Sequence, residues 1–140
     1  MTLYLDTEFN GHAGELISLA LVSNKSPDEF YGVLPLPDPV HPWVAAHVVP
    51  ILDRKPDEPA VFRTRLRFFL EKHSGQEIVA DWPDDFTHLM KALSGNSYGE
   101  SWMIPMDMRL IVSGDVRPEQ PHNALSDARA LMYWHSANPV

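Results

Sequence analysis

The sequence predicts a mixed α/β fold, with a central sheet of about five strands and helices on its faces. Three strand-like segments come first, and the short breaks between them carry Gly or Pro, which favours an antiparallel meander. Helical and strand patterns then alternate toward the end of the chain, which is typical of α/β layers. With 140 residues and 44% apolar residues, the chain is long enough for one domain, residues 1–140, with its own core.

The three predicted strands occupy the first quarter of the chain. Residues 1–9 (MTLYLDTEF) form the first, residues 15–24 (ELISLALVSN) the second and residues 28–36 (DEFYGVLPL) the third. The second is almost continuously apolar, as expected for a strand that is covered on both faces. A run of prolines beginning at Pro35 ends this strand region.

The remainder of the chain alternates between helical patterns and short strands. We expect a short helix over residues 41–52, longer helices within 57–75 and 83–95, a buried strand at 77–81 and a final helix over 123–137. Residues 102–112 (WMIPMDMRLIV) are ambiguous and fit a strand followed by a turn of helix. Trp43 and Trp134 are expected in the core.

Composition excludes several classes of protein. The formal net charge is −8, so contact with nucleic acid must depend on a local basic patch or on bound cations, since proteins that bind nucleic acid by bulk charge are usually basic. The chain has no cysteine, which excludes disulfides and thiolate metal sites and favours a cytoplasmic protein. We expect no membrane span, because no apolar run approaches about 20 residues, and no signal peptide.

Two acids stand where a buried strand is expected. Side chains alternate along a strand, so Asp6 and Glu8 share a face with Tyr4. At ~4 Å and an effective dielectric constant of ~20, two carboxylates repel by about 4 kcal/mol. Either one carboxyl group takes up a proton or cations bind between the two. The alternative is that this end of the strand simply faces water.

Two further groups of polar residues occur later in the chain. Asp81 ends a predicted strand, and Asp84 and Asp85 open the next helix, where one acid suffices to cap it. His122 and Asp127 would lie about 140° apart on one continuous helix. If the helix begins near Asn123, however, His122 lies in the preceding loop and can reach the same point as Asp127. The alternative is that Asn123 only caps the helix, that His122 is a surface residue and that Asp127 is a solvated acid.

Together, these three groups resemble the motifs of the DEDDh exonucleases, a family in the ribonuclease H-like superfamily that includes ribonuclease T, oligoribonuclease and proofreading subunits. The order and approximate spacing match over nearly the whole chain. HNALSDA (residues 122–128) is very similar to the third motif of the family, and PWVAAHVVPIL (residues 42–52) resembles the compact bacterial and phage exoribonucleases. The second motif departs from the family pattern, because VADWPDDF (residues 79–86) has Asp81 where the family has His and is more tightly spaced.

The resemblance implies a ribonuclease H-like fold and a metal-dependent 3′→5′ exonuclease that acts on single-stranded RNA. Single-stranded DNA is the alternative substrate. Two competing functions are a non-catalytic nucleic-acid-binding domain and a phosphohydrolase for small nucleotides. Several relatives are homodimers, so a homodimer is expected.

The resemblance also implies a role for each site residue. The ligands of two Mg²⁺ or Mn²⁺ ions would be Asp6, Glu8, Asp85 and Asp127, and His122 would be the general base. Asp81 is the rival of Asp85 as the acid of the second motif, with Asp84 third. Phe9, Asp81 and Trp82 are candidates for contact with the substrate.

A basic helix could also serve nucleic-acid binding. Arg63, Arg65 and Arg67 fall within FRTRLRFF, and Arg63 and Arg67 share a face. The alternative is a polar face opposite a buried Phe/Leu stripe. Asp107 resembles an acid that precedes the third motif of the family, and it is expected to be structural.

Overall fold

A computed structural model describes residues 1–95 and 98–139 of the chain. Within these residues lie one sheet of five strands and four α-helices. In chain order the elements are β1 (Thr2–Phe9), β2 (Leu16–Ser23), β3 (Glu29–Val33), α1 (Pro42–His47), α2 (Pro59–Lys72), β4 (Glu77–Ala80), α3 (Pro83–Ser94), β5 (Asp107–Leu110) and α4 (Ala124–Ala137).

The sheet is mixed, with strand order β3-β2-β1-β4-β5. β1 pairs with β2 and β2 with β3 in antiparallel fashion, whereas β1 with β4 and β4 with β5 are parallel. The predicted α/β class, the antiparallel meander and the five-stranded sheet are therefore confirmed. β1 occupies the centre of the sheet, and this placement puts the D-x-E segment in the middle of the molecule.

Helices cover both faces of the sheet. On one face, Leu3 and Leu5 of β1 pack in a core with Phe62 and Leu66 of α2 and Leu89 of α3. On the other face, alternate residues of β1, β2 and β4 pack with Ala128 and Leu131 of α4. β2 is buried on both faces, as its continuous apolar run predicts.

The segment 41–52 differs from the prediction. Its α-helix ends at His47, and a 3₁₀ turn follows at Val49–Ile51. Val44 and Val48 are one helical turn apart and are buried against the sheet. This orientation turns Trp43 outward, where 47% of the residue is exposed, so the prediction that Trp43 lies in the core is wrong. Trp134 packs, partly buried, against the core beneath α4.

Residues 102–112 form a shorter element than their apolar content suggests. Only Asp107–Leu110 is strand, and all four of its residues are exposed because β5 is the edge of the sheet. None of the described helices is both long enough and apolar enough to span a lipid bilayer.

Asn123 fixes the beginning of α4. Its side-chain oxygen accepts a hydrogen bond from the backbone N–H of Ser126 at 3.0 Å, which caps the helix. Its side-chain amide also donates to the carbonyl oxygen of Ile51 at 2.9 Å. One buried side chain therefore joins the start of α4 to the end of the α1 segment, and His122 lies in the loop just ahead of the helix.

We expect Asn123→Ala to destabilise the protein by about 1–3 kcal/mol, because the cap is lost and the carbonyl of Ile51 loses its donor. Asn123→Ser is the matched control, since serine can cap the helix but is too short to reach Ile51. Urea unfolding followed by circular dichroism measures both changes. An alanine variant as stable as the wild type, or a serine variant less stable than the alanine variant, contradicts this account of the α4 start.

Candidate functional site

The site forms where β1 and β4 end. The two strands are parallel neighbours, so their carboxyl ends lie at the same edge region of the sheet. Asp6 and Glu8 extend the β1 face that carries Tyr4, and Asp81 directly follows β4. Three acids of two adjacent strands are thereby brought together.

Helix α3 adds Asp85 from its first turn. The hydroxyl of Thr7 donates to Asp85 Oδ1 at 2.6 Å, and the backbone N–H of Thr7 donates to the same oxygen at 3.2 Å. Only 2% of Asp85 is exposed. Asp84 turns elsewhere and accepts a hydrogen bond from the indole N–H of Trp82 at 3.3 Å.

Helix α4 adds Asp127, also from its first turn. One carboxyl oxygen of Asp127 and one of Glu8 lie within 4.8 Å of each other, and His122 lies close enough to Asp127 to oppose the rise in the pKa of that carboxyl. His122 has a positive φ of 71°, which is uncommon for a residue other than glycine. His122 is thus held in the loop before α4, next to Asp127, as the position of Asn123 predicts.

The acids form two groups that share one member. Single carboxylate oxygens of Asp6, Asp81 and Asp85 lie within 4.8 Å of one another, and the same holds for Asp6, Glu8 and Asp127. Within the described part of the chain, Asp6 Oδ2 and Asp85 Oδ2 are buried and have no hydrogen-bond partner. Buried oxygens without a donor are costly, and a cation would satisfy both. Oxygen donors of this kind suit hard divalent ions, so each group could hold a metal ion.

Burial and mutual repulsion raise the pKa of every acid in these groups for which a shift is resolved. Burial raises the pKa of Asp6 well above its usual range, and the charges of Asp85 and Asp127 add to the effect. Burial and the contact with Asp127 raise the pKa of Glu8 to about 9. Burial raises the pKa of Asp85 to about 7 although the bonds from Thr7 oppose it. The pKa of Asp127 rises to about 6, again mainly through burial.

The structure does not separate the two candidate acids of the second motif. Asp81 and Asp85 both approach Asp6, but their second partners differ: Asp85 is bound by Thr7, whereas Asp81 accepts a hydrogen bond from the hydroxyl of Ser113 at 2.6 Å. Asp85 is the more buried of the two. The tight spacing of this motif therefore brings two acids, rather than one, to the side of Asp6.

The candidate substrate-contact residues Phe9 and Trp82 are next to acids of the site in the chain. The ring of Phe9 packs against that of His88 with centroids 4.6 Å apart and a tilt of 30°. Trp82 stands at the N-terminus of α3 with 58% of the residue exposed. One aromatic side chain is thus fixed by a neighbour beside Glu8, and the other is open to solvent beside Asp81.

Two aromatic residues near His122 were not predicted to belong to the site. The ring of Trp43 meets the ring of His122 edge-on at 4.9 Å, and it stacks on His47 at 4.5 Å. Both belong to α1, far from the third motif in the chain. No local signal in the sequence indicates this contact, since it depends on how α1 packs against the sheet.

The basic helix makes intramolecular contacts. The guanidinium groups of Arg63 and Arg67 lie over the ring of Trp102, 4.6 and 5.0 Å from its centroid. Arg65 forms an ion pair with Asp57 at 2.5 Å. These contacts support a structural role for this helix rather than a track for nucleic acid.

The raised pKa of Asp85 predicts a pH-dependent stability in EDTA. The unfolded carboxyl loses its proton near pH 3.8 but the folded one only near 7. The protonated Asp85 carboxyl therefore makes its full contribution to the free energy of unfolding below about pH 4, and this contribution is lost as the pH rises through 7. Asp85→Asn keeps an acceptor for Thr7. We expect its free energy of unfolding to exceed that of the wild type by about 1–3 kcal/mol between pH 5 and 8.

Thermal unfolding of both proteins at matched pH values measures this difference. Asp28→Asn is the control, because Asp28 lies at the surface and pairs with Lys72. If the difference in stability between the wild type and Asp85→Asn stays constant over this pH range, ionisation of Asp85 does not destabilise the folded protein as expected.

Neither a protein-family model nor a curated protein matches the sequence of this chain.

Proposed function

We propose that the chain is a metal-dependent 3′→5′ exoribonuclease with a ribonuclease H-like fold, acting in the cytoplasm on single-stranded RNA. It releases nucleoside 5′-monophosphates. The observation that carries the proposal is that Asp6 belongs to two carboxylate groups, supplied by β1, α4, α3 and the end of β4. Two acidic groups with a common member are what a pair of neighbouring cations requires.

A purely structural role for these acids does not account for their arrangement. Capping a helix or facing water leaves carboxylate oxygens bonded or solvated, whereas Asp6 and Asp85 each bury an oxygen without a partner. Raised pKa values further indicate that the group destabilises the folded chain at neutral pH. Such strain is common at functional sites, because it is relieved when the ligand binds.

In the reaction, water adds to the phosphorus atom of the terminal phosphodiester, and the bond from phosphorus to the 3′ oxygen breaks. Two bound divalent ions would polarise the phosphodiester and lower the pKa of the attacking water. Asp6, Glu8, Asp85 and Asp127 would hold the ions, with Asp81 as a further or alternative ligand. Thr7 keeps the carboxylate of Asp85 in position by donating two hydrogen bonds to one of its oxygens.

His122 would accept the proton of the attacking water on a ring nitrogen. Its place in the loop before α4 supports this role, because the loop brings His122 next to Asp127 and its ring is held by the edge contact with Trp43. Imidazole suits the step because it exchanges protons near neutral pH.

Aromatic residues beside the acids favour a single-stranded substrate. Bases stack on aromatic rings in a way that tolerates any sequence, and such stacking requires unpaired bases. Phe9, whose ring packs against His88, follows Glu8 in the chain, and the exposed Trp82 follows Asp81. RNA is proposed because the motifs resemble those of the compact exoribonucleases.

We expect the wild-type protein to shorten a 5′-labelled single-stranded RNA from its 3′ end in Mg²⁺ or Mn²⁺, and EDTA to stop it. Asp6→Asn should abolish turnover without loss of the fold, because it removes a carboxylate shared by both groups. Asp28→Asn should match the wild type. Denaturing gels and circular dichroism measure the two properties.

The same assay separates the competing functions. If a DNA of matched sequence is cleaved as fast as the RNA or faster, single-stranded DNA replaces RNA as the proposed substrate. If only dinucleotides are cleaved, the protein is a phosphohydrolase for small nucleotides. Binding of RNA without any degradation in either metal would favour a non-catalytic binding domain. Degradation that persists in EDTA would overturn the metal-dependent mechanism.

His122→Ala should slow hydrolysis by about 10²–10⁴-fold, the usual effect of losing a general base. Mn²⁺ affinity, measured by calorimetry, should change little because His122 is not a proposed ligand. A variant that cleaves at the wild-type rate would remove His122 from the mechanism while leaving the carboxylates in place.

A further inference from the structure

A cavity of about 500 Å³ lies between α2, α3 and the start of β2. Its walls are largely apolar and include Leu16, Leu34, Phe62 and Ala92. None of the acids of the candidate site lines it. The size and the apolar walls are typical of sites for small molecules, which add a few polar groups to fix the ligand.

Hydrogen bonds within the chain hold the walls of this cavity in place. Arg63 of α2 donates to the carbonyl oxygen of Ala92 in α3 at 3.1 Å. In the connection from β1 to β2, the backbone N–H of Asn10 donates to the carbonyl oxygen of Glu15 at 2.9 Å. Gly14 packs so closely in this connection that a Cβ there would overlap the carbonyl oxygen of Asn10. The cavity is therefore preformed, and a ligand can bind without first ordering a loop.

His88 of α3 gives the cavity a buried polar group. Only 6% of the residue is exposed, and the ring of Phe9 packs on its ring. Neither ring nitrogen of His88 has a hydrogen-bond partner in the part of the chain that the structure describes. Burial, together with the charge of Lys91, lowers the pKa of His88, so the neutral ring offers one donor and one acceptor. A buried imidazole without a partner favours a ligand that forms hydrogen bonds with it.

The charges at the cavity favour an anionic ligand. Lys91 lines it, is exposed and forms no ion pair with any residue in the ranges 1–95 and 98–139. Arg63 also lines it, but its guanidinium is bound to carbonyl oxygens of the chain and lies over the ring of Trp102. Glu15 is the acid in the lining. Two cations therefore face one carboxylate, and the ammonium group of Lys91 is available to a ligand.

Helix α3 connects this cavity to the acidic site. Asp85, His88 and Ala92 are three and four residues apart, so they lie on the same face of the helix. At 1.5 Å per residue, Lys91 is about 9 Å along the helix from Asp85. Phe9, which packs on His88, follows Glu8 directly. The cavity is thus next to the carboxylates but separate from them.

We propose that this cavity binds a nucleotide, with the nucleobase between the apolar walls and the phosphate at Lys91. A flat heterocycle with hydrogen-bonding groups suits an apolar cavity that contains one unpartnered imidazole, and a phosphate suits an unpaired ammonium group. The choice of a nucleotide rests on the proposed function. A free nucleoside monophosphate and a nucleotide of an RNA strand share this chemistry.

Calorimetric titration of the full chain in EDTA tests the site without the metal-dependent reaction. Cytidine 5′-monophosphate should bind saturably, whereas cytidine and ribose 5-phosphate, which each lack one recognised group, should bind about tenfold more weakly or less. Lys91→Gln should raise the Kd for the monophosphate about tenfold, because a charged hydrogen bond to phosphate is lost. Lys25→Gln removes the same charge from the exposed turn after β2 and should bind as the wild type does.

Ala92→Leu tests the cavity itself. The larger side chain fills part of the cavity while the backbone carbonyl that accepts from Arg63 remains, so binding of the monophosphate should be lost. Circular dichroism checks the fold, and if the leucine variant does not fold, the surface variant Lys91→Gln decides alone. A wild type that binds no cytidine 5′-monophosphate, or a folded Lys91→Gln or Ala92→Leu variant that binds it as tightly as the wild type, overturns the proposal.

Cleavage of RNA in Mg²⁺ then separates the two sources of the nucleotide. If the cavity holds a nucleotide of the strand, Lys91→Gln should raise KM more for a long RNA than for a dinucleotide. If it holds a free monophosphate, Lys91→Gln should affect both KM values equally. A protein that binds the monophosphate in EDTA but cleaves no RNA contradicts the proposed nuclease and leaves the nucleotide site in place.

Discussion

The concentration of negative charge around Asp6 is the constraint on which the site depends. Four further acids lie in the two groups that contain it, and burial makes their charges hard to screen. The free energy of unfolding of a chain of 140 residues is only a few kcal/mol, so repulsion among these carboxylates is strongly destabilising unless their charge is neutralised. Protons can do so at low pH, and cations can do so at neutral pH.

The fold relieves part of this charge with its own backbone. Asp85 and Asp127 each sit in the first turn of a helix, where the exposed N–H groups and the helix dipole favour an anion. Two helix N-termini therefore converge on the centre of the sheet, where β1 ends. The hydroxyl and backbone N–H of Thr7 add hydrogen bonds to Asp85, and His122 lies beside Asp127. The acids of β1 are not at a helix N-terminus, and Asp6 has a buried oxygen without a hydrogen-bond partner among the described residues.

The centre and the rim of the sheet carry different properties. The carboxylates gather where parallel strands end beside the antiparallel meander, because β1 is the strand common to both arrangements. At the β3 rim, the carbonyl oxygens of Tyr31 and Val33 accept hydrogen bonds from Arg65 and Asp57, whereas β5 has no strand neighbour other than β4 among the described residues.

The α/β class, the meander, the boundaries of α3 and α4 and the proximity of Asp6 to Glu8 were predictable from local sequence, because periodicity, prolines and caps act over a few residues. The sequence did not indicate that Asp81 and Asp85 would both approach Asp6, nor that Trp43 would lie outside the core and contact His122. Both results depend on packing between distant elements: the burial of Val44 and Val48 turns Trp43 outward, and the packing of α3 beside β1 brings Asp85 to Thr7. Contacts between elements distant in the chain depend on packing directions that no local pattern encodes.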